Sequence, residues 1–288
     1  MLFGALVLPV LAALAAAAPA PAEGTLEPRA VSSFDRFFMI VLENRDFDKV
    51  MKDTYMGTTL PAKGRLLTNM HALTHPSQPN YIGMISGSTK GVILDLDGNI
   101  DRRNVVDLLE AKGITWASYQ ENYPGGCFTD SKSSDGLYRR KHNPFISFTN
   151  IAKNPKRCEN IVNAEELEAD IKANTVPQFV FYTPNMNNDG HDTDAATASR
   201  WLFGFLEPKL KDPVFKNTVF YITFDENEWL LPWFNDNKIY SLFVGGPIAP
   251  GTTDNTKYDH YSILATLQAR WGLGNLGQGD VGATPFNI

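Results

Sequence analysis

Two runs of apolar β-formers, each ending in polar oxygen-bearing residues, constrain the fold of this chain most. Phe37-Phe38-Met39-Ile40-Val41-Leu42 runs into Glu43-Asn44, and Val219-Phe220-Tyr221-Ile222-Thr223-Phe224 runs into Asp225-Glu226. An unbroken apolar run of this length reads as a central strand buried on both faces of a parallel sheet. In open α/β sheets the crevice at the carboxyl ends of the strands is where ligands bind. Four oxygen-bearing side chains at such an edge read as a metal site with a reaction attached.

Between and around these runs, strand and helix signals alternate. Strands are expected at Arg65 to Leu73, Ile114 to Tyr119, Gln178 to Thr183 and Tyr240 to Val244. Helices are expected at Asn80 to Ser86, opened by Pro79; at Arg103 to Lys112, stopped by Gly113; at Asn163 to Ala173; at Ala195 to Leu210; and at Tyr261 to Trp271. The alternation predicts an α/β fold, a three-layer sandwich with a mostly parallel central sheet covered by helices on both faces. Residues 121–160 lack periodicity, and a loop of that length in a compact domain is usually functional.

The 288 residues, 43% hydrophobic, suffice for one large domain, placed at residues 23–288. The apolar stretch from Leu2 to Ala18, followed by Pro-Ala alternation to Ala22, reads as a secretory signal over residues 1–22, cleaved between 17 and 22. The expected location is therefore extracellular or in a cell wall, with no stable membrane anchor. In an oxidising compartment the only two cysteines, Cys127 and Cys158, are expected to form one disulfide, adding roughly 3–4 kcal/mol in the chain-entropy model. A net charge of −6 offers no basic stripe for a nucleic-acid partner.

A nucleophile candidate lies in His75-Pro76-Ser77-Gln78-Pro79-Asn80-Tyr81. Ser77 precedes Pro79, a residue suited to the first turn of a helix. A phosphate attached there would be favoured by free N–H groups and the positive dipole end. Taken locally, Ser77 reads first as an N-cap, and Thr74 is a competing hydroxyl. The string Ser77-Gln78-Pro79-Asn80-Tyr81 with Ser86-Gly87 resembles the nucleophile turn of the alkaline-phosphatase-like superfamily. Glu43-Asn44-Arg45-Asp46-Phe47-Asp48, the His75–Tyr81 string, Lys141-His142-Asn143-Pro144-Phe145, Pro184 to Asp192 and Thr223-Phe224-Asp225-Glu226 resemble, in order, motifs of the secreted phosphoesterases typified by fungal acid phosphatases and bacterial phospholipases C.

That resemblance implies an alkaline-phosphatase-like fold and a secreted, metal-dependent acid phosphatase acting on a small phosphate monoester through a phosphoserine. It implies that Glu43, Asn44, Ser77, Asp225 and Glu226 hold one divalent metal ion, for which such oxygen ligands suit Mg, Ca, Mn or Zn. Of the five histidines, His142, His191 and His260 have polar neighbours and are expected to bind phosphate, one of them protonating the leaving group. Asp189, Asp192 and Asn80 are expected to assist binding. His75 is an outside candidate, and His71 is expected to be structural. Some superfamily members hold a second zinc with Asp and His at similar places. Two other readings remain open from sequence. One is a phospholipase C-type phosphodiesterase, with Trp229 to Phe234 as an apolar shelf; the other is a non-catalytic secreted binding protein. A serine hydrolase is disfavoured because Ser77 lacks the flanking glycines of a G-x-S-x-G elbow.

Overall fold

Every residue from Phe37 to Leu42 is fully buried, which requires partners on both edges and both faces of that strand. The computed structural model describes Met1, residues 34–228 and residues 236–288. The secretory-signal reading and the shelf reading of Trp229 to Phe234 fall outside the described residues. Among those described, one sheet contains β1 (Arg36–Leu42), β2 (Gly64–His71), β3 (Trp116–Gln120), β4 (Ile161–Asn163), β5 (Phe179–Thr183), β6 (Thr218–Phe224), β7 (Lys238–Val244), β8 (Thr252–Asp254) and β9 (Tyr258–Asp259). The order is β4-β3-β5-β1-β6-β7-β2-β8, with β9 also paired to β2. Only β7 runs against the others, pairing antiparallel with β6 and β2. The sheet is thus mostly parallel, as its apolar strands imply.

Five helices of seven or more residues are described: α1 (Ser77–Ser86), α2 (Val105–Ala111), α3 (Glu166–Ala173), α4 (Ala195–Lys209) and α5 (Tyr261–Trp271). Successive strand residues face opposite sides of a sheet, so Phe37 and Phe38 separate the two faces. Phe38 meets Phe205 of α4, ring centroids 6.2 Å apart. On the other face Phe37 packs on Phe34, which in turn meets Trp271 of α5 at 6.2 Å. Tyr81 of α1 reaches Phe181 of β5 on that same face. Helices on both faces make the three layers.

Local sequence explains most boundaries. α2 starts where Asn104 makes a capping box: Val106 N–H donates to Asn104 Oδ1 and Asn104 N–H to Asp107 Oδ2. α1 ends at Gly87, whose φ of 69° is open to glycine at no steric cost. Three expectations are corrected. α1 begins at Ser77 rather than Asn80, because Pro79 sits inside the first turn rather than opening it. The stretch expected to be helical from Asn163 begins as a strand, Ile161–Asn163, that completes the β3 edge, and its helix starts at Glu166. The short β8 and β9 were not anticipated. The 121–160 segment is folded back by a disulfide between Cys127 and Cys158, with Cα atoms 5.6 Å apart.

Candidate active site

Strand register builds the centre. β1 and β6 pair in parallel with Leu42 opposite Phe224, so the next residues, Glu43 and Asp225, emerge side by side at the carboxyl edge. Asp225 N–H continues the ladder to Leu42 O at 3.0 Å, and Glu43 N–H donates to Asp189 O at 3.0 Å, bringing in the loop after β5. β2 runs in the same direction as β1 because two antiparallel pairings separate them, so its carboxyl end delivers α1 to the same edge.

Ser77 is the first residue of α1, buried, and makes no capping bond; the capping role weighed for it is not what the structure shows. Its Oγ instead lies 3.2 Å from Glu43 Oε2 and 3.2 Å from Glu226 Oε1, and its single proton can be given to either. Asn44, with a φ of 37°, turns its amide back into the cluster. With nitrogen inward it donates to Asp225 Oδ1 and Glu43 Oε2, both at 3.0 Å. With oxygen inward, three oxygens would face one another, a state that only a cation would stabilise.

Glu43, Asn44, Asp225 and Glu226 are thus brought together around the Ser77 hydroxyl. Burial, then the Asp225 charge, pushes the Glu43 carboxyl well above its usual range; burial, then Glu226, does the same to Asp225. A cation is the natural counterpart of such a set, because buried like charges cannot all ionise unopposed. Among the described residues no three Asp, Glu, His or Cys side chains converge on one point as in a closed cage. Asn44 and Ser77 add neutral oxygens beside the carboxylates, and oxygens of this kind suit a hard ion. Glu226 Oε2 and Asp189 Oδ2 are buried without a hydrogen-bond partner, leaving acceptor capacity at the site.

The histidines separate by burial. His142, on the turn Arg140–His142, lies with Nε2 3.3 Å from Glu43 Oε2 and Nδ1 3.7 Å from Asp189 Oδ2, without making a hydrogen bond through Nε2. Burial, then the Lys141 charge, drives its pKa well below the ordinary imidazole value. His260 is fully buried; its Nε2 lies 2.6 Å from Asp225 O, and its Nδ1 has no partner. Burial lowers its pKa to about 4. His191 differs, with 30% of its side chain exposed and Nδ1 2.8 Å from Asp192 Oδ1. Its ring is 6.2 Å from that of His142, and its backbone N–H donates to Asp189 Oδ1 at 2.7 Å. His191 and Asp192, with Lys141, Met186 and Leu96, line a cavity of about 420 Å³ beside the cluster. Two larger cavities, of about 760 and 700 Å³, contain none of these residues.

Asn80 departs from expectation. Its Oδ1 accepts from Leu73 N–H and Thr74 N–H, and its Nδ2 donates to Thr74 O and Pro76 O. Every polar atom is engaged in shaping the turn before Ser77, so it is a brace for that turn rather than a substrate contact. His71 has both ring nitrogens bonded, to Asp236 O and Asn69 Oδ1, as a structural histidine would. The His75 side chain is 5% exposed, with Nδ1 against Glu226 Oε2, although the contact lacks hydrogen-bond geometry. Two neighbours escaped the sequence reading. Tyr81 donates its hydroxyl to Glu43 Oε1, and Lys141 pairs with Asp95 at 3.1 Å. Although burial lowers the Lys141 pKa, the charges of Glu43 and Asp95 raise it overall, so it is a firm cation beside the carboxylates. The clue to Tyr81 was its place four residues after Ser77, on the same helix face.

The profile of the phosphoesterase family matches residues 52–274. The chain belongs to the phosphoesterase family. It is 42% identical over 270 residues to a probable acid phosphatase of Kluyveromyces lactis, covering 89% of this chain and 63% of that protein. It is 38% identical over 267 residues to an acid phosphatase of Aspergillus fumigatus, covering 89% of this chain and 59% of that protein. The chain therefore spans about three fifths of the length of these relatives. Among solved structures, an alkaline phosphatase superfamily protein from Vibrio parahaemolyticus superposes with a TM-score of 0.59 at 13% identity, covering 89% of this chain and 71% of that one. That likeness concerns the fold alone, and it agrees with the three-layer sandwich described above.

Proposed function

We propose that this phosphoesterase is a secreted, metal-dependent acid phosphatase that cleaves small phosphate monoesters through a phosphoserine on Ser77. The observation that carries the reading is the Ser77 hydroxyl, buried at the start of α1 between Glu43 and Glu226 instead of capping its helix. The names of the fungal relatives support the monoester, and the apolar N-terminal stretch and the disulfide support secretion.

Glu43, Asn44, Ser77, Asp225 and Glu226 would hold one divalent ion. That ion would favour the alkoxide and neutralise phosphoryl oxygens. The protein's own groups do the rest. Ser77 gives its proton to a flanking carboxylate and its Oγ attacks phosphorus in line. The bond from phosphorus to the ester oxygen breaks, and that oxygen takes a proton from His191. Water then attacks the phosphoserine, returning its proton to His191. The bond from phosphorus to Ser77 Oγ breaks, Oγ takes back the proton held by the flanking carboxylate, and inorganic phosphate is released. Two-step covalent catalysis of this kind replaces one hard displacement with two easier ones. His191 is assigned the proton because it is the one histidine of the three at the cavity, paired with a carboxylate. His142 and His260 are held neutral by burial and suit binding and orientation. Lys141 adds positive charge where the phosphate dianion enters.

Rates on 4-nitrophenyl phosphate and bis(4-nitrophenyl) phosphate, measured from pH 4 to 9 with each divalent metal, test this. A faster monoester reaction with an acidic optimum and metal dependence is expected. A faster diester reaction would overturn the monoester assignment in favour of a phosphodiesterase, and inactivity on both would favour a binding protein.

A further inference from the structure

We propose that Tyr81 is a positioning residue that reserves one oxygen of Glu43 for the cation and sets the plane of His142. The inference rests on the reading of Glu43 as a metal ligand and goes beyond it, because it says how that ligand is oriented.

The geometry is specific. Ser77 and Tyr81 are four apart on α1, so one face of the helix presents both to the carboxylate edge. The Tyr81 hydroxyl, fully buried, donates to Glu43 Oε1. Among the described residues no other hydrogen bond reaches that oxygen. The second oxygen, Oε2, is the one every other group faces: Ser77 Oγ at 3.2 Å, His142 Nε2 at 3.3 Å and the Asn44 amide at 3.0 Å. A carboxylate turns freely about its last bond, and an unrestrained Glu43 could offer either oxygen, or both, to an ion. With Oε1 engaged by the phenol, Oε2 alone is left for the cluster.

The ring does a second task. It lies nearly parallel to the His142 imidazole, with centroids 5.3 Å apart and planes 16° apart. Its own orientation is fixed by Phe181 of β5 at 6.2 Å. The hydroxyl therefore acts on Glu43 and the ring on His142, and the two tasks can be separated by mutation. Phenylalanine keeps the ring and removes the hydroxyl, whereas leucine removes both. Removal of a hydrogen-bond partner behind a metal ligand typically lowers affinity 10–100-fold.

The test uses the full chain stripped of metal and titrated calorimetrically with Mn²⁺, with thermal midpoints of the metal-free proteins measured alongside. Wild type is expected to bind one ion and Tyr81→Phe to bind it about 10–100-fold more weakly. Excess Mn²⁺ is expected to restore most of the lost kcat in Tyr81→Phe, with KM for 4-nitrophenyl phosphate unmoved. Tyr81→Leu is expected to show the same loss of Mn²⁺ affinity together with a raised KM that excess metal does not correct. Unaltered Mn²⁺ affinity in Tyr81→Phe, even with a lowered thermal midpoint, assigns the hydroxyl a purely structural role and overturns the inference. Wild type that takes up no divalent ion would overturn the metal reading itself, a result distinguishable from the first.

Discussion

Ser77 shows how little a local motif decides. A serine near a helix start is an N-cap by default, yet here the hydroxyl turns from the backbone toward two carboxylates. Sequence pointed to that choice only through the family resemblance of the Ser77–Tyr81 string and its companion motifs, among them Glu43-Asn44 and Asp225-Glu226; the local pattern favoured the cap. Asn80 shows the opposite. It lies within the same string, but its role as a brace depends on a turn whose shape no local pattern gives. Likewise the division of labour among the histidines follows burial, which sequence does not report. Ser77→Ala is expected to lower kcat by about 10³-fold or more while inorganic phosphate still binds, checked by single-turnover kinetics and phosphate inhibition. Turnover at the wild-type rate would remove Ser77 as nucleophile. His260 carries a pH dependence of stability. Its pKa is about 4 when folded against about 6.5 in an unfolded chain. Below pH 6.5 the unfolded state binds the proton and the folded state does not, so stability falls as pH drops toward 4, by about 3 kcal/mol. Urea midpoints in chelator at pH 7 and 4.5, compared between wild type and His260→Gln, separate this share from the opposing one of the raised carboxyls: the substitution should cost more stability at pH 7 than at pH 4.5.

At the scale of elements, the two founding strands were readable because a run buried on both faces has no polar side to alternate. β4, β8 and β9, of three, three and two residues, carry too few side chains for any period to register. The reversed direction of β7 was equally invisible, since direction is set by the chain path and not by the apolar pattern of Ile239 to Val244. The 121–160 segment stood out by its lack of period. It brings Lys141 and His142 to the site from a stretch with little regular structure. Such a segment depends on its closure. Replacing Cys127 and Cys158 by serine is expected to lower stability by about 3–4 kcal/mol, the entropy of closing a loop of this size, measured by denaturant unfolding. A loss under about 1 kcal/mol would mean that packing alone holds the segment.

For the whole molecule, the decisive quantity is the charge gathered at one edge of the sheet. Glu43, Asp189 and Asp225 are each pushed up by burial, and Glu226 stands among them. Folding this constellation without a counter-ion is unfavourable wherever the acids ionise. For a carboxyl raised on folding, stability is lost as pH climbs from the unfolded value near 4 through the folded one. A divalent ion held by these oxygens reverses that loss, and it does so more strongly at neutral pH, because its ligands must first lose their protons. At a concentration one hundred times its dissociation constant, an ion binding only the folded chain adds about 2.7 kcal/mol, or roughly 5–10 °C for a protein of this size. Chelation is therefore expected to abolish activity and lower the thermal midpoint, both restored by adding the ion back. The gap between the bound and stripped midpoints should be wider at pH 7 than at pH 4.5. Equal midpoints with and without chelator at pH 7 would mean that the carboxylates share protons rather than a metal, and the two strand ends would then need another chemistry.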